Sequence, residues 1–314
     1  MGDCLLLTGP VRALKEEFPD FRISVVVESR FAACFEGNPD FTEIISIKKK
    51  SSAARLLTRR FRAVINLHGG PTSLAYSLLA WGNRIGAEQY RYRRLYNGLV
   101  PAPEPLTHSV EKTMAAFRWL GLQRTTEAPP LRYEVHAREA EKIGAAMRHR
   151  PYVVIHPGAL MATKRWEPGR FAQVAQALQA DGFTIALTGG PGEEQVVADA
   201  GRTVPGASIL LGLTIPELAE LIRGARLYIG NDSGPMHLAS AVGTPIVVPW
   251  GSSSSKAWRP WSVPNRVIQN PFECNPCPGY HCLVAETPLC IESVTADQVT
   301  AAARELLRNA DTTG

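Results

Sequence analysis

Short apolar runs alternate with amphipathic segments through the second half of the chain. The apolar runs predict five strands, at Tyr152–His156, Phe183–Thr188, Ser208–Leu211, Arg226–Gly230 and Pro245–Trp250. The amphipathic segments between them predict four helices, at Pro168–Ala180, Glu193–Arg202, Ile215–Arg223 and Gly234–Val242. Because strands that alternate with helices pair in parallel and are covered on both faces, this half is expected to form a doubly wound α/β sheet.

The first half repeats the pattern less regularly. It predicts helices at Pro10–Phe18 and Thr72–Trp81, and strands at Ile23–Val27 and Val64–Leu67. A parallel sheet of this kind usually begins with a strand before its first loop and helix, and Met1-Gly2-Asp3 leaves no room for one. We therefore expect a second α/β domain whose first strand is missing from the pattern.

Two proline-rich loops and a late helix set the domain expectations. Residues 1–148 are assigned to an N-terminal domain and residues 149–294 to a C-terminal domain, with the boundary placed in the polar segment after Ala128-Pro-Pro130. Residues 295–314 contain a helix at Ala296–Asn309 that comes too late to belong to the second sheet. That helix could cross back to the first domain.

Composition narrows the class of protein. The 314 residues are 45% hydrophobic and 20% charged, as in a soluble globular protein, and no apolar run approaches the length of a membrane span. We expect a cytoplasmic location. Residues 1–150 hold 23 Lys and Arg against 15 Asp and Glu, a net +8, and the remainder has a net −3. The first half is therefore expected to meet an anionic partner or surface.

The segment Leu227–Trp250 carries the strongest chemical signal. An apolar strand ends in Asn231-Asp232-Ser233-Gly234-Pro235, and a small-residue helix follows at once. Ser233 or Asp232 can cap that helix, and Pro235 suits its first turn. Gly234 allows close backbone approach, with Met236 and His237 in the same helix end. A plain capped helix start is the alternative, but the combination favours phosphate bound at the helix N-terminus.

Two further strand-to-loop segments add polar groups to the same domain. Lys164 follows His156-Pro157-Gly158-Ala159 and can reach a phosphate as a point charge, although a solvated surface lysine is the ordinary alternative. The Gly189–Gly192 loop lacks both the GxGxxG spacing and a P-loop lysine. Glu193 and Glu194 after it could hold ribose hydroxyls or an adenine amine, or simply favour a helix N-terminus.

The first half offers one carboxylate and two basic clusters. Asp3 is a candidate general base for an acceptor hydroxyl, against the alternative of an unstructured terminal residue. Seven of the fifteen residues from Lys48 to Arg62 are basic, and a second cluster, Arg91, Arg93 and Arg94, alternates with tyrosines. No nucleic-acid motif accompanies them, so a phosphorylated lipid or sugar is the preferred partner.

The six cysteines include a group of four near the end of the chain: Cys274, Cys277, Cys282 and Cys290. This group could bind structural zinc or a cluster, or consist of free thiols, and the irregular spacing leaves both readings open. No catalytic role is expected of it.

These segments together resemble the ADP-heptose:lipopolysaccharide heptosyltransferases of glycosyltransferase family 9. The resemblance is carried by Gly2–Thr8 with Arg12–Lys15, Asn66–Gly69, His156–Ala159, Lys164–Trp166, Asn231–His237, and the cysteines at 274, 277 and 290. It implies a GT-B fold, with two Rossmann-like domains facing across a cleft, the acceptor side first and the donor side second. It also implies an inverting transfer that requires no metal for its chemistry.

Carried onto this chain, the resemblance makes Asp3 the base, with Lys164 stabilising the departing ADP. The implied donor-binding residues are His156, Gly158, Glu193, Glu194, Asp232, Ser233, Gly234, Met236 and His237. The acceptor-binding residues assigned from the basic clusters are Lys49, Arg55, Arg59, Arg60 and Arg91. The expected partners are ADP-heptose, a phosphorylated lipopolysaccharide precursor and, peripherally, the inner face of the inner membrane of a Gram-negative-type bacterium. No nucleic acid is expected, and a monomer is favoured.

Two alternatives stay open on the sequence alone. A sugar-nucleotide epimerase on the same two-domain frame would convert its nucleotide sugar without an acceptor. A catalytically inactive nucleotide-sugar-binding protein would bind the donor without turnover.

Overall fold

The computed structural model describes residues 1–47, 50–102, 104, 107–135, 138, 143, 147, 151–277 and 279–312. The chain divides into two compact units. The first unit is Leu7–Pro129, and the second combines Met1–Leu6 with Pro130–Gly314. The chain thus divides at the Ala128-Pro129-Pro130 loop rather than at the expected 148/149 boundary, and its first six residues belong with the second unit.

A six-stranded parallel sheet forms the second unit. The strands are β6 (Tyr152–His156), β7 (Thr184–Gly189), β8 (Ser208–Leu211), β9 (Leu227–Gly230), β10 (Ile246–Pro249) and β11 (Asn265–Ile268). Their order is β11-β10-β9-β6-β7-β8. Every residue of β6, β9 and β10 is buried, as expected for central strands covered by helices on both faces. The five predicted strands are present, and β11 is an additional one.

Helices surround this sheet as the periodicity predicts. They are α5 (Pro168–Ala180), α6 (Glu194–Gly201), α7 (Ile215–Arg223), α8 (Gly234–Ala241), the short α9 (Ser255–Trp258) and α10 (Leu289–Glu292), and α11 (Ala296–Thr312). In α7, Thr214 and Glu217 form a capping box, which fixes where the helix begins.

The last helix corrects one expectation. α11 does not cross back to the first unit: its buried face, including Val299, Ala303 and Leu306, belongs to the core of the second unit. That core also contains Phe171 of α5 and Ile229 of β9. The physical reason is that α11 has an apolar face that this sheet can cover, and Arg304 at its surface pairs with Asp181 after α5 (Nε to Oδ2, 2.7 Å).

The first unit has smaller sheets than the second, and its strands and helices alternate less regularly. Its helices are α1 (Gly2–Glu17, whose first five residues belong to the second unit), α2 (Lys50–Thr58), α3 (Pro71–Leu79) and α4 (Ser109–Trp119). Its strands are β1 (Ser24–Val27), β2 (Glu43–Ser46), β3 (Arg60–Ile65), β4 (Trp81–Ala87) and β5 (Gly98–Val100). The sequence predicted α3 and parts of α1, β1 and β3, but α1 begins at Gly2 rather than at Pro10, because Leu5 and Leu6 extend its buried face.

These strands form two separate parallel sheets, β1-β2 and β3-β4-β5. Within the described residues, β1 does not pair with β3. Val26 in β1 remains 40% exposed, whereas the central strands of the second unit are wholly buried.

Among the helices that the structure describes, none combines the length and the apolar character needed to cross a membrane.

Candidate functional site

Four loops meet at the carboxyl edge of the six-stranded sheet. They follow β6, β7, β9 and β10, which are neighbours in the sheet. The register pairs His156, the last residue of β6, with Gly230, the last residue of β9, so the loops after these two strands start side by side. Ligands of open α/β sheets bind at this edge, and most of the predicted donor residues lie here.

The N-terminus of α8 has the features of an anion-binding site. Ser233 is the N-cap residue, in extended conformation, but its side chain makes no cap hydrogen bond. Neither of the two predicted caps is therefore used, because Asp232 points its carboxylate elsewhere. Pro235 occupies the first turn, as predicted. The N–H groups of this turn lack a side-chain cap, and together with the helix dipole they can hold a phosphate.

Lys164 and Asp232 form an ion pair beside that helix end. Nζ of Lys164 lies 2.6 Å from Oδ2 of Asp232, with the side chains 20% and 5% exposed. Ser253, in the loop after β10, donates its hydroxyl to the same oxygen. An ammonium has three donors, so this pair leaves some of them available to a ligand. The structure therefore brings together two residues that lie 68 positions apart in the sequence.

Asn231 holds the Lys164 loop against the α8 turn. Its side-chain amide donates to the Pro157 carbonyl (2.8 Å) and accepts from the Trp166 N–H (3.0 Å). The residue is fully buried. Asn231 belongs to the motif that follows β9, but the sequence alone predicts no role for it. Its position, at a strand end with a buried polar side chain, is the signal that could have identified it as a tether.

A second polar cluster joins the loops after β6 and β7. His156 Nδ1 lies 3.0 Å from the Thr188 hydroxyl, and His156 Nε2 lies 3.2 Å from Oε2 of Glu193. The same Glu193 oxygen accepts the Gly190 N–H at 2.7 Å. Burial acts to raise the pKa of Glu193, but the hydrogen bond and charge of His156, the Gly190 N–H and the charge of Arg165 hold that pKa below its ordinary value. The carboxylate is thus ionised at neutral pH and can accept hydroxyl donors.

Gly158 leaves the space that this carboxylate fills. A Cβ at position 158 would lie 2.1 Å from Cδ of Glu193. Gly158→Ala is therefore expected to displace the Glu193 side chain from His156 and Gly190, and to raise the dissociation constant for ADP about tenfold. Isothermal titration with ADP measures the effect.

Gly169→Ala is the matched control for this prediction. Its Cβ would meet only the flexible end of Glu167 at 3.2 Å, within the first turn of α5. It should leave ADP affinity unchanged. Equal affinities for both variants and the parent protein would show that the Glu193 position does not matter for ADP.

Three other residues predicted to bind the donor lie in different environments. Glu194 is exposed and accepts the Gly192 N–H at 3.2 Å, so it is held by its own loop. Met236 is fully buried, and only its backbone could meet a ligand. His237 is 4% exposed, at the same helix end as Gly234. Met236 and His237 both lie in the first turn of α8.

The first turn of α1 also reaches this site. A Cβ at Gly2 would lie 2.7 Å from Cδ2 of His237, and a Cβ at Gly234 would lie 2.7 Å from Cε of Met1. Both glycines thus permit close approach of the α1 and α8 N-termini. Asp3, next to Gly2, is exposed in this turn and not in an unstructured tail.

Among the described acceptor residues, Arg60 and Arg91 lie towards opposite ends of the β3-β4-β5 sheet. Lys49 lies outside the described residues. Arg55 and Arg59 both form ion pairs with Glu43, Arg55 at 3.3 Å. Arg60 lies at the amino end of β3, whereas Arg91 follows the carboxyl end of β4, with its guanidinium 5.6 Å from the Tyr92 ring centroid.

A cavity of about 590 Å³ lies beside Arg91 and is lined by residues 88–95. Tyr90 lines this cavity, and its hydroxyl donates to the Asn66 carbonyl at 3.1 Å. Asn66 in turn donates to the Tyr96 hydroxyl at 2.7 Å. Burial raises the pKa of Tyr90 to about 12, so this phenol stays protonated as a donor. Arg91, one of the predicted acceptor residues, thus lines a cavity.

All six cysteines are free thiols. Burial raises the pKa of Cys290, and the nearby Cys274 and Cys282 raise it further, so these three lie in one region. Nevertheless, within the described ranges no three His, Cys, Asp or Glu side chains are arranged to hold a metal ion. The metal reading of this group therefore remains a sequence prediction.

The chain is similar to known proteins over most of its length. The family model described as glycosyltransferase family 9 (heptosyltransferase) matches residues 51–287. Lipopolysaccharide heptosyltransferase 3 of Escherichia coli is 29% identical over 296 residues, covering 85% of each chain.

Two solved structures share the fold. A glycosyl transferase family 9 protein from Veillonella parvula superposes with a TM-score of 0.84 at 20% identity, covering 98% of this chain and 95% of that one. The ADP-heptose lps heptosyltransferase II of E. coli superposes with a TM-score of 0.80 at 21% identity, covering 98% and 96%. The fold is thus the GT-B fold expected from the sequence. Since the family model covers well over half of the chain, the protein belongs to glycosyltransferase family 9, the heptosyltransferases, and is a glycosyltransferase.

Proposed function

We propose that the protein transfers a heptose from ADP-heptose to a hydroxyl of a lipopolysaccharide inner-core acceptor bearing Kdo or heptose, with inversion at the anomeric carbon. The observation that carries the proposal is the Lys164–Asp232 pair beside the uncapped N-terminus of α8. The relatives named for lipopolysaccharide and for ADP-heptose support the choice of substrates.

The donor would lie along the carboxyl edge of the six-stranded sheet. Its diphosphate would accept from the N–H groups of the first turn of α8 and from Lys164. Its ribose would meet the Glu193 carboxylate, which is ionised and fixed by His156 and Gly190. The diphosphate would thus lie at the positive N-terminus of α8, and the ribose hydroxyls would donate to the negative Glu193 carboxylate.

The transfer is a single displacement. The Asp3 carboxylate removes the proton of the acceptor hydroxyl as its oxygen forms a bond to the anomeric carbon. The bond from that carbon to the β-phosphate oxygen breaks, and the electron pair leaves with ADP. Lys164 and the α8 N–H groups stabilise the charge that develops on the leaving phosphate, because they are in place before the reaction. This assignment gives the charge neutralisation to protein groups and needs no cofactor.

The acceptor is assigned to the first unit. The net +8 of residues 1–150 favours a phosphorylated lipid core, and the cavity at residues 88–95 is lined by Arg91, Arg93 and Arg94. We further propose peripheral association with the inner face of the inner membrane, and a monomeric state.

Release of ADP from ADP-heptose, measured with and without heptose-deficient lipopolysaccharide as acceptor, tests the proposal. Release that depends on the acceptor, with heptose recovered on the lipid, is the expected result. Conversion of the nucleotide sugar without an acceptor would support an epimerase instead. Binding of ADP-heptose with neither outcome would indicate an inactive binding protein, and either result would overturn the transfer.

A further inference from the structure

The loop after β10 makes a contact that the proposed mechanism does not use. This serine loop, residues 251–255, follows the buried strand that neighbours β9. The hydroxyl of Ser253 donates to Oδ2 of Asp232, the oxygen that also pairs with Lys164 at 2.6 Å. The Asp232 side chain is 5% exposed, so water contributes little to holding it. Its orientation therefore depends on these two protein donors.

The backbone of the serine loop is fixed from both sides. The Trp250 indole N–H donates to the Ser253 carbonyl at 2.8 Å, and Gln269 donates to the Gly251 carbonyl at 3.1 Å. A Cβ at Gly251 would lie 2.2 Å from the Thr163 carbonyl, so the loop packs directly against the residue before Lys164.

The same junction reaches the cysteine-rich segment. The Ser252 hydroxyl donates to the Thr163 hydroxyl at 2.9 Å, and the Thr163 hydroxyl donates to the Gly279 carbonyl at 2.9 Å. The Cys277 N–H donates to the Ser252 carbonyl at 2.7 Å. Three loops are thus bonded around Thr163, the residue before Lys164, while the Lys164 side chain pairs with Asp232.

We propose that Ser253 is a positioning residue for Lys164: its hydroxyl holds the Asp232 carboxylate where that carboxylate places the lysine ammonium for the leaving diphosphate. The inference rests on the proposed function, because the diphosphate is the ligand that Lys164 would serve. The Asp232 carboxylate is nearly buried, and a diphosphate bound at the α8 N-terminus would repel it, so this charge is costly unless donors hold it. Ser253 supplies a donor that stays with Asp232 when Lys164 turns part of its donors to phosphate.

The test compares Ser253→Ala, Ser253→Thr and Ser255→Ala with the parent protein in acceptor-dependent ADP release. Ser253→Ala is expected to lower kcat about tenfold, because it removes a hydrogen bond to a charged group. The KM for ADP-heptose and the dissociation constant for ADP should stay within about twofold. The displaced ammonium of Lys164 weakens stabilisation mainly in the transition state, where negative charge develops on the leaving phosphate. Ser253→Thr keeps the hydroxyl and should recover most of the rate.

Ser255 provides the matched control in the same loop. Its hydroxyl donates to Oε1 of Gln269 at 2.7 Å and does not contact Asp232. Ser255→Ala should keep the parental kcat. Equal losses in Ser253→Ala and Ser255→Ala would assign the effect to the loop as a whole and overturn the proposal, as would an unchanged kcat in Ser253→Ala or a failure of threonine to rescue it.

A second measurement separates this inference from the proposed function. The rate at which acetic anhydride acetylates Lys164, followed by peptide mass spectrometry, reports how firmly the ammonium is held without any turnover. Ser253→Ala should raise that rate several-fold relative to Ser255→Ala. If the parent protein shows no acceptor-dependent release of ADP, the transfer proposal fails, but the acetylation rates still test whether Ser253 positions Lys164. Equal acetylation rates in Ser253→Ala and Ser255→Ala would overturn the positioning role.

Discussion

Lys164→Ala is expected to lower the maximal rate of transfer by about 10²–10³-fold, the range found when one preorganised stabiliser of developing charge is removed. The ammonium is the side-chain cation that pairs with Asp232 at the α8 N-terminus, and in the proposed mechanism it faces the departing ADP. Its loss should reduce kcat more than affinity for ADP, because the N–H groups of α8 remain. Steady-state kinetics of acceptor-dependent ADP release measure the change.

The structure adds a control to this prediction. Removing the lysine alone leaves Asp232 as a nearly buried carboxylate with one fewer donor, which can cost up to about 3 kcal/mol of folding free energy. The double variant Lys164→Met with Asp232→Asn removes both charges and should recover most of that stability in thermal unfolding. It should not recover the rate. A double variant with the parental rate would remove Lys164 from the mechanism.

The second unit was predictable because its central strands are buried on both faces. Runs such as Tyr152–His156 and Leu227–Gly230 are continuously apolar, which distinguishes them from the amphipathic helices between them. β11 was missed because Asn265–Ile268 is short and half polar. The partner of α11 could not be read from its periodicity, which shows that a helix has an apolar face but not which sheet covers it.

The first unit was predicted less well for the same physical reason. β4 has the sequence WGNRIGA, with two glycines, an asparagine and an arginine, and only Ile85 and Gly86 of it are buried. No regular alternation marks such a strand. Its pairing with β3 and β5, and not its local sequence, makes it a strand.

The site shows a similar division between local and long-range information. Strand ends followed by polar turns identified His156, Lys164, Glu193 and Asp232 individually. The pairing of Lys164 with Asp232 depends on β6 and β9 being neighbours, which the order of elements along the chain does not reveal. Ser253 was overlooked because Gly251–Ser255 has the composition of an ordinary turn, and only the fold brings its hydroxyl to Asp232.

Asp3→Asn is expected to abolish acceptor-dependent transfer, with a loss of at least about 10²-fold, the lower range for a general base. Asparagine has nearly the same shape but cannot take up the proton of the acceptor hydroxyl. ADP affinity should be unchanged, because Asp3 is exposed in the first turn of α1 and is not among the residues that hold Glu193 or Lys164. Kinetics of transfer and titration with ADP provide the two readouts.

Asp20→Asn is the matched control, an exposed carboxylate of the first unit that lies after α1. It removes the same charge from the chain and should leave the rate of transfer unaltered. The close approach of Gly2 to His237 supplies the structural argument, since it brings the turn that carries Asp3 to the helix end proposed for the diphosphate. Loss of ADP affinity in Asp3→Asn would instead make Asp3 part of the donor site, and an equal loss of rate in both variants would reduce its role to one of net charge. Loss of rate in Asp3→Asn alone, with ADP binding intact, is the result that identifies the base.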